Sequence, residues 1–135
     1  MKVNEIINFL NENGLSEVEE LRKEKDLLLL NFYLDFDKDI IEAARAYADN
    51  ESSNGTEQWM NEFYLPYLYD YANDEVLEIM EELIEEFEVE GEFMAFQNKE
   101  ETSGYVQFMA LFTNEENDAT IEEIVKDYMQ EKIKK

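Results

Sequence analysis

The sequence predicts an α+β fold in which an antiparallel sheet of three or four strands packs against about five helices. Two observations support this class. In some segments apolar residues alternate with period two, as in strands, whereas in others they recur every three or four residues, as in helices. The chain has 135 residues and no internal repeat, so we expect a single domain over 1–135.

The first element is an amphipathic helix that ends at Asn13 and Gly14, because its apolar residues have helical spacing up to Leu10. The segment 15–26 has two readings. Ser16 and Glu19 resemble a capping box that would begin a helix. A polar edge strand over about 17–24 fits equally well, because only two apolar residues follow.

The run LLLLNFYLDF predicts a central strand over 27–36, with one face fully apolar. Asp37 then stands where an N-cap belongs, so a helix should run to about Asn50. One stripe of this helix is apolar or small and should face the core: Ile40, Ile41, Ala44, Tyr47 and Ala48.

The stretch WMNEFYLPYLYDY, residues 59–71, holds six aromatic rings and the only proline. Thr56 is a suitable N-cap before it, and Pro66 predicts two short helices or one kinked helix. On a helical wheel most of its apolar side chains share one arc, which predicts that they belong to the core. Tyr69 falls outside that arc. If Tyr69 is exposed, it is a candidate aromatic anchor for a partner.

A long helix should begin at Asn73 and end near Phe87. Its predicted buried side comprises Val76, Leu77, Ile79, Met80, Leu83, Ile84 and Phe87. Seven acidic residues between 74 and 86 fall on the opposite arc.

Two strands over about 88–97 and 104–113 follow, joined by a polar connection over 98–103. Gly91 in the first of them predicts a bulge. Thr120 and Glu123 form a capping box for a last helix.

The composition excludes several chemistries. Without cysteine or histidine the chain has no thiolate nucleophile, no catalytic triad and no zinc site of the usual type. The run DFDKD begins like a calcium loop, but Ile40 and Ala46 replace the required glycine and glutamate. Glycine patterns that bind phosphate are absent as well. We therefore expect no cofactor, no metal and no catalytic residue, and an enzyme would have to rely on carboxylates.

The net charge of −24 is the strongest global signal. Such a charge repels nucleic acid and anionic lipid and attracts basic protein surfaces. The N-terminal segment does not resemble a signal peptide, and no apolar run reaches membrane-spanning length. We expect a cytoplasmic protein that binds neither nucleic acid nor membrane directly, with an oligomeric state that the sequence leaves open.

The acidic helix is the candidate site. Its seven carboxylates lie along about 20 Å of axis, one per roughly 3 Å, which is close to the charge spacing of one DNA strand at about 3.4 Å. The sequence thus suggests a non-catalytic protein-binding module, in particular an inhibitor or nucleic-acid mimic that acts on a basic nucleic-acid-binding protein. The alternatives are a carboxylate-based enzyme or cation binder, an accessory structural domain, and a helix whose charge serves only solubility. The candidate binding residues are Glu75, Glu78, Glu81, Glu82, Glu85, Glu86 and Tyr69.

Overall fold

A computed structural model describes residues 1–96, 104–114 and 117–134. These residues form four helices and one sheet of four antiparallel strands, which confirms the α+β class. The helices are α1 (Val3–Glu12), α2 (Lys38–Glu51), α3 (Leu65–Phe87) and α4 (Ile121–Lys134), and the strands are β1 (Ser16–Glu24), β2 (Leu27–Asp35), β3 (Glu90–Phe96) and β4 (Tyr105–Thr113). The predicted connection 98–103 lies outside the described residues.

The strands are arranged in the order β1-β2-β4-β3, which places β2 and β4 in the centre. Segment 15–26 is therefore strand and turn, and the helix reading of Ser16 and Glu19 is wrong. The pairing of β1 with β2 shifts register twice, and Glu17 has a positive φ of 50°. These irregularities and its many charges make β1 a poor template for further strand pairing.

Helices cover both faces of the sheet. Helices α1 and α3 pack on one face, where the alternating side chains of β2 and β4 form the main core: Leu28, Leu30, Phe32, Leu34, Val106, Phe108, Ala110 and Phe112. Helix α4 covers the other face through a smaller cluster with Leu27, Leu29, Met109 and Leu111. The period-two prediction for β2 and β4 is confirmed by this division.

The aromatic segment and the acidic segment form one helical rod, which is why the described residues contain four helices and not five. A π-helical turn over Trp59–Tyr64 continues directly into α3, since Tyr64 and Leu65 at the junction both have helical dihedral angles. The start expected at Asn73 is therefore wrong, and of the two alternatives predicted at Pro66 the continuous rod excludes two separate helices. Leu65 donates its N–H to the carbonyl of Met60, five residues back, and this wider turn accommodates a proline that would clash in a regular α-helix.

Several predicted helix ends are confirmed. The Asp37 carboxylate accepts from the N–H of Ile40 at 2.9 Å, and the Thr56 hydroxyl accepts from the N–H of Trp59 at 3.1 Å. Gly14 has the positive φ of 91° that ends α1. None of the helices in the described ranges has the length and apolarity that a membrane span requires.

Gly91 does not form the predicted bulge. It pairs with Phe112 in an unbroken register between β3 and β4. A Cβ atom at Gly91 would lie 3.0 Å from Cε of Met80 and 3.1 Å from Cδ1 of Ile84. The glycine is there because α3 passes close over β3, and the sequence alone could not distinguish that reason from a bulge.

Candidate functional site

The predicted acidic side chains lie on the solvent side of α3. The opposite side of the helix is buried in the main core through Ala72, Val76, Ile79, Met80 and Leu83. We call the exposed carboxylates the acidic face: Asp74, Glu78, Glu81, Glu82, Glu85 and Glu86. The structure thus brings five of the six predicted glutamates together on one exposed surface. Because one side of the helix is fixed in the core, these charges have a rigid support.

The sixth predicted glutamate, Glu75, is half-buried at the edge of the helix. Burial raises the pKa of Tyr71 above its ordinary value, and the negative charges of Glu75 and Asp37 raise it further. Glu75 follows Tyr71 by four positions, so the two side chains are neighbours on the surface of α3.

The carboxylates of α3 are placed where they destabilise their own helix. Five pairs of acidic residues stand four positions apart, at 70–74, 74–78, 78–82, 81–85 and 82–86. Each such pair costs a helix about 0.2–0.5 kcal/mol. Glu85 and Glu86 also lie in the last turn, which has no basic residue, and negative charge is unfavourable at that end of the helix dipole.

Ion pairs do not offset this repulsion within the described residues. Those residues contain three ion pairs, Lys2–Glu5, Arg22–Glu24 and Lys38–Glu42, and none of them involves α3. The sequence explains part of this, because no Lys or Arg occurs between Arg45 and Lys99. The acidic face is consequently available to cations or basic groups from outside the chain.

Leu77 is exposed beside the acidic face, although the sequence placed it in the core. Its side chain is 47% exposed, the largest value among the bulky apolar side chains described. At about 100° per residue it lies at the border between the buried side and the acidic side of α3. Asp74 and Glu81 are its neighbours on the helix surface at three and four positions.

Tyr69, the predicted aromatic anchor, is half-buried and packs against the main core. This burial raises the pKa of its phenol. Tyr69 therefore supports the fold, and the exposed aromatic surface of the molecule is found elsewhere.

Three rings meet at the surface where α2 packs on the rod formed by the π-helical turn and α3. We call Tyr47, Phe63 and Tyr67 the aromatic patch. The Tyr47 ring centroid is 5.4 Å from that of Tyr67 and 6.2 Å from that of Phe63. Tyr47 is 43% exposed, and the other two rings are half-buried. The sequence placed all three in the core because their helical spacing matches that of the buried residues.

Local packing explains why the patch reaches the surface. Ala44 and Ala48 are fully buried, so α2 lies close on the rod and Tyr47 remains at the rim. In the π-helical turn, Trp59 stacks on Tyr64 with centroids 4.8 Å apart, although residues five apart point in different directions in an α-helix. This stack fills the interior, while Phe63 and Tyr67 lie against Tyr47. The sequence was interpreted with the spacing of an α-helix, about 100° per residue. That spacing does not describe the π-helical turn, so the positions of these rings could not be predicted from it.

The aromatic patch and the acidic face share one side of α3. At about 100° per residue, Tyr67, Asp74, Glu78 and Glu85 fall within a sector of about 40°. Tyr67 and Glu85 are eighteen residues apart, about 27 Å along the axis. A partner lying along α3 would therefore meet rings at one end and carboxylates along the rest.

The clefts formed by the described residues contain no buried carboxylate. A cleft of about 410 Å³ between β3, β4 and the segment before α4 is lined by Glu90, Glu92 and Asp118 among others. Glu92 accepts from the N–H of Ile121 at 2.8 Å and so caps α4. Every carboxylate in the described residues is exposed or half-exposed, and within those residues no three acidic groups converge as metal ligands.

Comparison with known proteins identified no relative: no family model, no curated protein and no solved structure matches the chain.

Proposed function

We propose that this chain is a non-catalytic, cytoplasmic protein-binding module whose acidic face binds the basic groove of a nucleic-acid-binding protein. The observation that carries the proposal is the placement of acids on α3 against the helix's own stability, with five like-charge pairs and two carboxylates at the negative end of the dipole. Sequences depart from locally favourable choices mainly where function requires it. A basic partner would relieve that repulsion on binding.

A nucleic-acid-like role is supported by the geometry of these charges. The acidic face lies on one continuous helix and is directed to solvent, with a charge spacing close to that of a phosphate backbone. Leu77 adds an apolar contact at its edge, as interfaces use beside a charged rim. In this role the module inhibits its partner by occupying the surface that would otherwise bind DNA or RNA.

The proposal is tested by competition with nucleic acid. The immobilised chain is exposed to an extract of the source cell at low salt, and the bound protein is released with duplex DNA and identified. We expect a basic nucleic-acid-binding protein whose DNA binding is blocked by the purified chain. The affinity should fall steeply with salt concentration, because charge attraction dominates association.

A matched pair of variants separates a specific surface from net charge. The triple variant Glu78→Gln, Glu81→Gln, Glu85→Gln removes three carboxylates from the acidic face. The control Glu122→Gln, Asp127→Asn, Glu131→Gln removes three exposed carboxylates from α4, on the other side of the sheet. Both variants change the net charge from −24 to −21.

At about 0.5 kcal/mol for each surface contact, the first variant should bind about tenfold more weakly, and the control should bind within twofold of the wild type. Equal loss of affinity in both variants would show that binding depends on the total charge of the protein and not on the acidic face. A captured protein that duplex DNA does not release would contradict the proposed role.

A further inference from the structure

We propose that the aromatic patch is a docking site for an arginine side chain of a basic partner segment. This inference rests on the proposed function for the basic character of the partner, but it assigns a separate site and a specific chemistry. Tyr47, Phe63 and Tyr67 present ring surface at the rim of the contact between α2 and the rod. A cation over an aromatic face is attracted by the negative charge on that face.

The charges around the patch identify the occupant. Glu51 follows Tyr47 by four positions on α2, and Asp70 follows Tyr67 by three positions on α3, so each lies on the same helix surface as its ring. Both carboxylates are exposed. Arg45, the basic residue of α2 closest in sequence, lies about 160° around that helix from Tyr47. The rings are therefore bordered by negative charge, which favours a cationic side chain over an apolar one.

Arginine fits this surface better than lysine. The planar guanidinium stacks on aromatic rings, forms two parallel hydrogen bonds with a carboxylate, and is less strongly hydrated than an ammonium group. Glu51 and Asp70 supply the carboxylates, and Tyr47 supplies the most exposed ring. A peptide that inserts arginine here could extend along α3 over the acidic face, since both lie on one side of the helix.

The test uses defined peptides of nine arginines and of nine lysines, which have equal charge. Binding is measured by calorimetry and by the ring proton shifts of the tyrosines, at about 20 mM and about 300 mM salt. We expect the arginine peptide to bind more tightly than the lysine peptide, and the difference to persist at high salt, where exposed charge pairs are screened.

Three variants make the measurement specific. Tyr47→Leu should weaken binding of the arginine peptide by about two- to thirtyfold, the range expected for a cation over a ring. Tyr47→Phe should retain most of the affinity, because the ring remains. Tyr105→Leu should bind like the wild type, since this ring is exposed to a similar extent, at 38%, but belongs to β4. Circular dichroism checks that each variant is folded.

The outcomes distinguish this site from the acidic face. If Tyr47→Leu binds both peptides like the wild type at both salt concentrations, the proposed docking site is wrong. The proposed function of the acidic face is not affected by that result, because the competition experiment tests it separately. If the triple variant of the acidic face blocks the partner's DNA binding as well as the wild type does, but Tyr47 still discriminates arginine from lysine, the docking site is supported without the proposed function. Equal binding of the two peptides by the wild type would also overturn the inference.

Discussion

Trp59 shows how a single residue joins α2 to the rod. Its side chain is 5% exposed, and its indole N–H donates to Oδ1 of Asp49 at 2.8 Å. The sequence predicted that Trp59 is buried, since it shares an arc with other apolar residues. It did not predict the partner, because Asp49 reads as one more surface acid on α2. That contact depends on how two helices meet, and no local pattern encodes it.

Removing the Asp49 carboxylate should destabilise the fold. Asp49→Ala leaves the indole N–H of a buried ring without its acceptor, which costs about 1–3 kcal/mol. Asp49→Asn keeps an oxygen at this position and should cost less than half as much. Because Trp59 is the only tryptophan, its fluorescence during urea unfolding reports the change directly. Equal and negligible losses in the two variants would show that water replaces the bond without cost.

At the level of elements, prediction succeeded where the determinant is local. The alternation in β2 and β4 and the caps at Asp37 and Thr56 depend on residues close in sequence, and the structure confirms them. The aromatic patch depends instead on the π-helical turn, which follows from packing. Likewise, Leu77 is exposed because the buried side of α3 is narrower than the apolar pattern suggested. Of the candidate site, the five outer glutamates were predictable, and the aromatic end was not.

The contact between α3 and β3 gives a testable case of close packing. Gly91→Ala places a Cβ about 3 Å from the ends of Met80 and Ile84. Overpacking costs about 1–3 kcal/mol. Alanine also lowers the conformational entropy of the unfolded chain, which offsets part of this cost. We therefore expect the free energy of unfolding to fall by about 1 kcal/mol.

The second variant Ile84→Val deletes the Cδ1 atom that would clash, so it should reduce the cost of Gly91→Ala by about 0.5 kcal/mol or more. The four proteins of this cycle are compared by chemical denaturation. Strict additivity of the two changes would show that the Cδ1 atom of Ile84 does not limit the space at Gly91.

At the level of the whole molecule, the net charge of −24 opposes the compact state. The three ion pairs of the described residues lie on exposed or partly exposed side chains, so salt removes little attraction when it screens them. Screening of the repulsion should dominate. Salt should therefore stabilise the fold while it weakens binding to a basic partner, and the two effects can be followed in one titration.

The carboxylates of the acidic face should therefore lower the stability of the fold while they increase the affinity for a basic partner. We expect Glu78→Gln, Glu81→Gln, Glu85→Gln to raise the free energy of unfolding by about 1 kcal/mol at low salt, because it removes three like-charge pairs four residues apart, while glutamine keeps a similar helix propensity. Thermal unfolding should show a Tm increase of about 3–5 °C. The gain should shrink at high salt, where the wild type is already screened.

The triple variant on α4 serves as the reference, because it changes the net charge equally without removing pairs from α3. Because Glu122 lies in the first turn of α4, where negative charge is favourable, the α4 variant also loses attraction to its helix dipole. The strain is therefore located on the acidic face by a gain in the α3 variant that shrinks as salt is added. If the α3 variant is instead less stable than the wild type, its carboxylates contribute to folding, and the argument that they are present for a partner fails. A variant that is more stable and yet binds about tenfold more weakly is the combination that a functional acidic face requires.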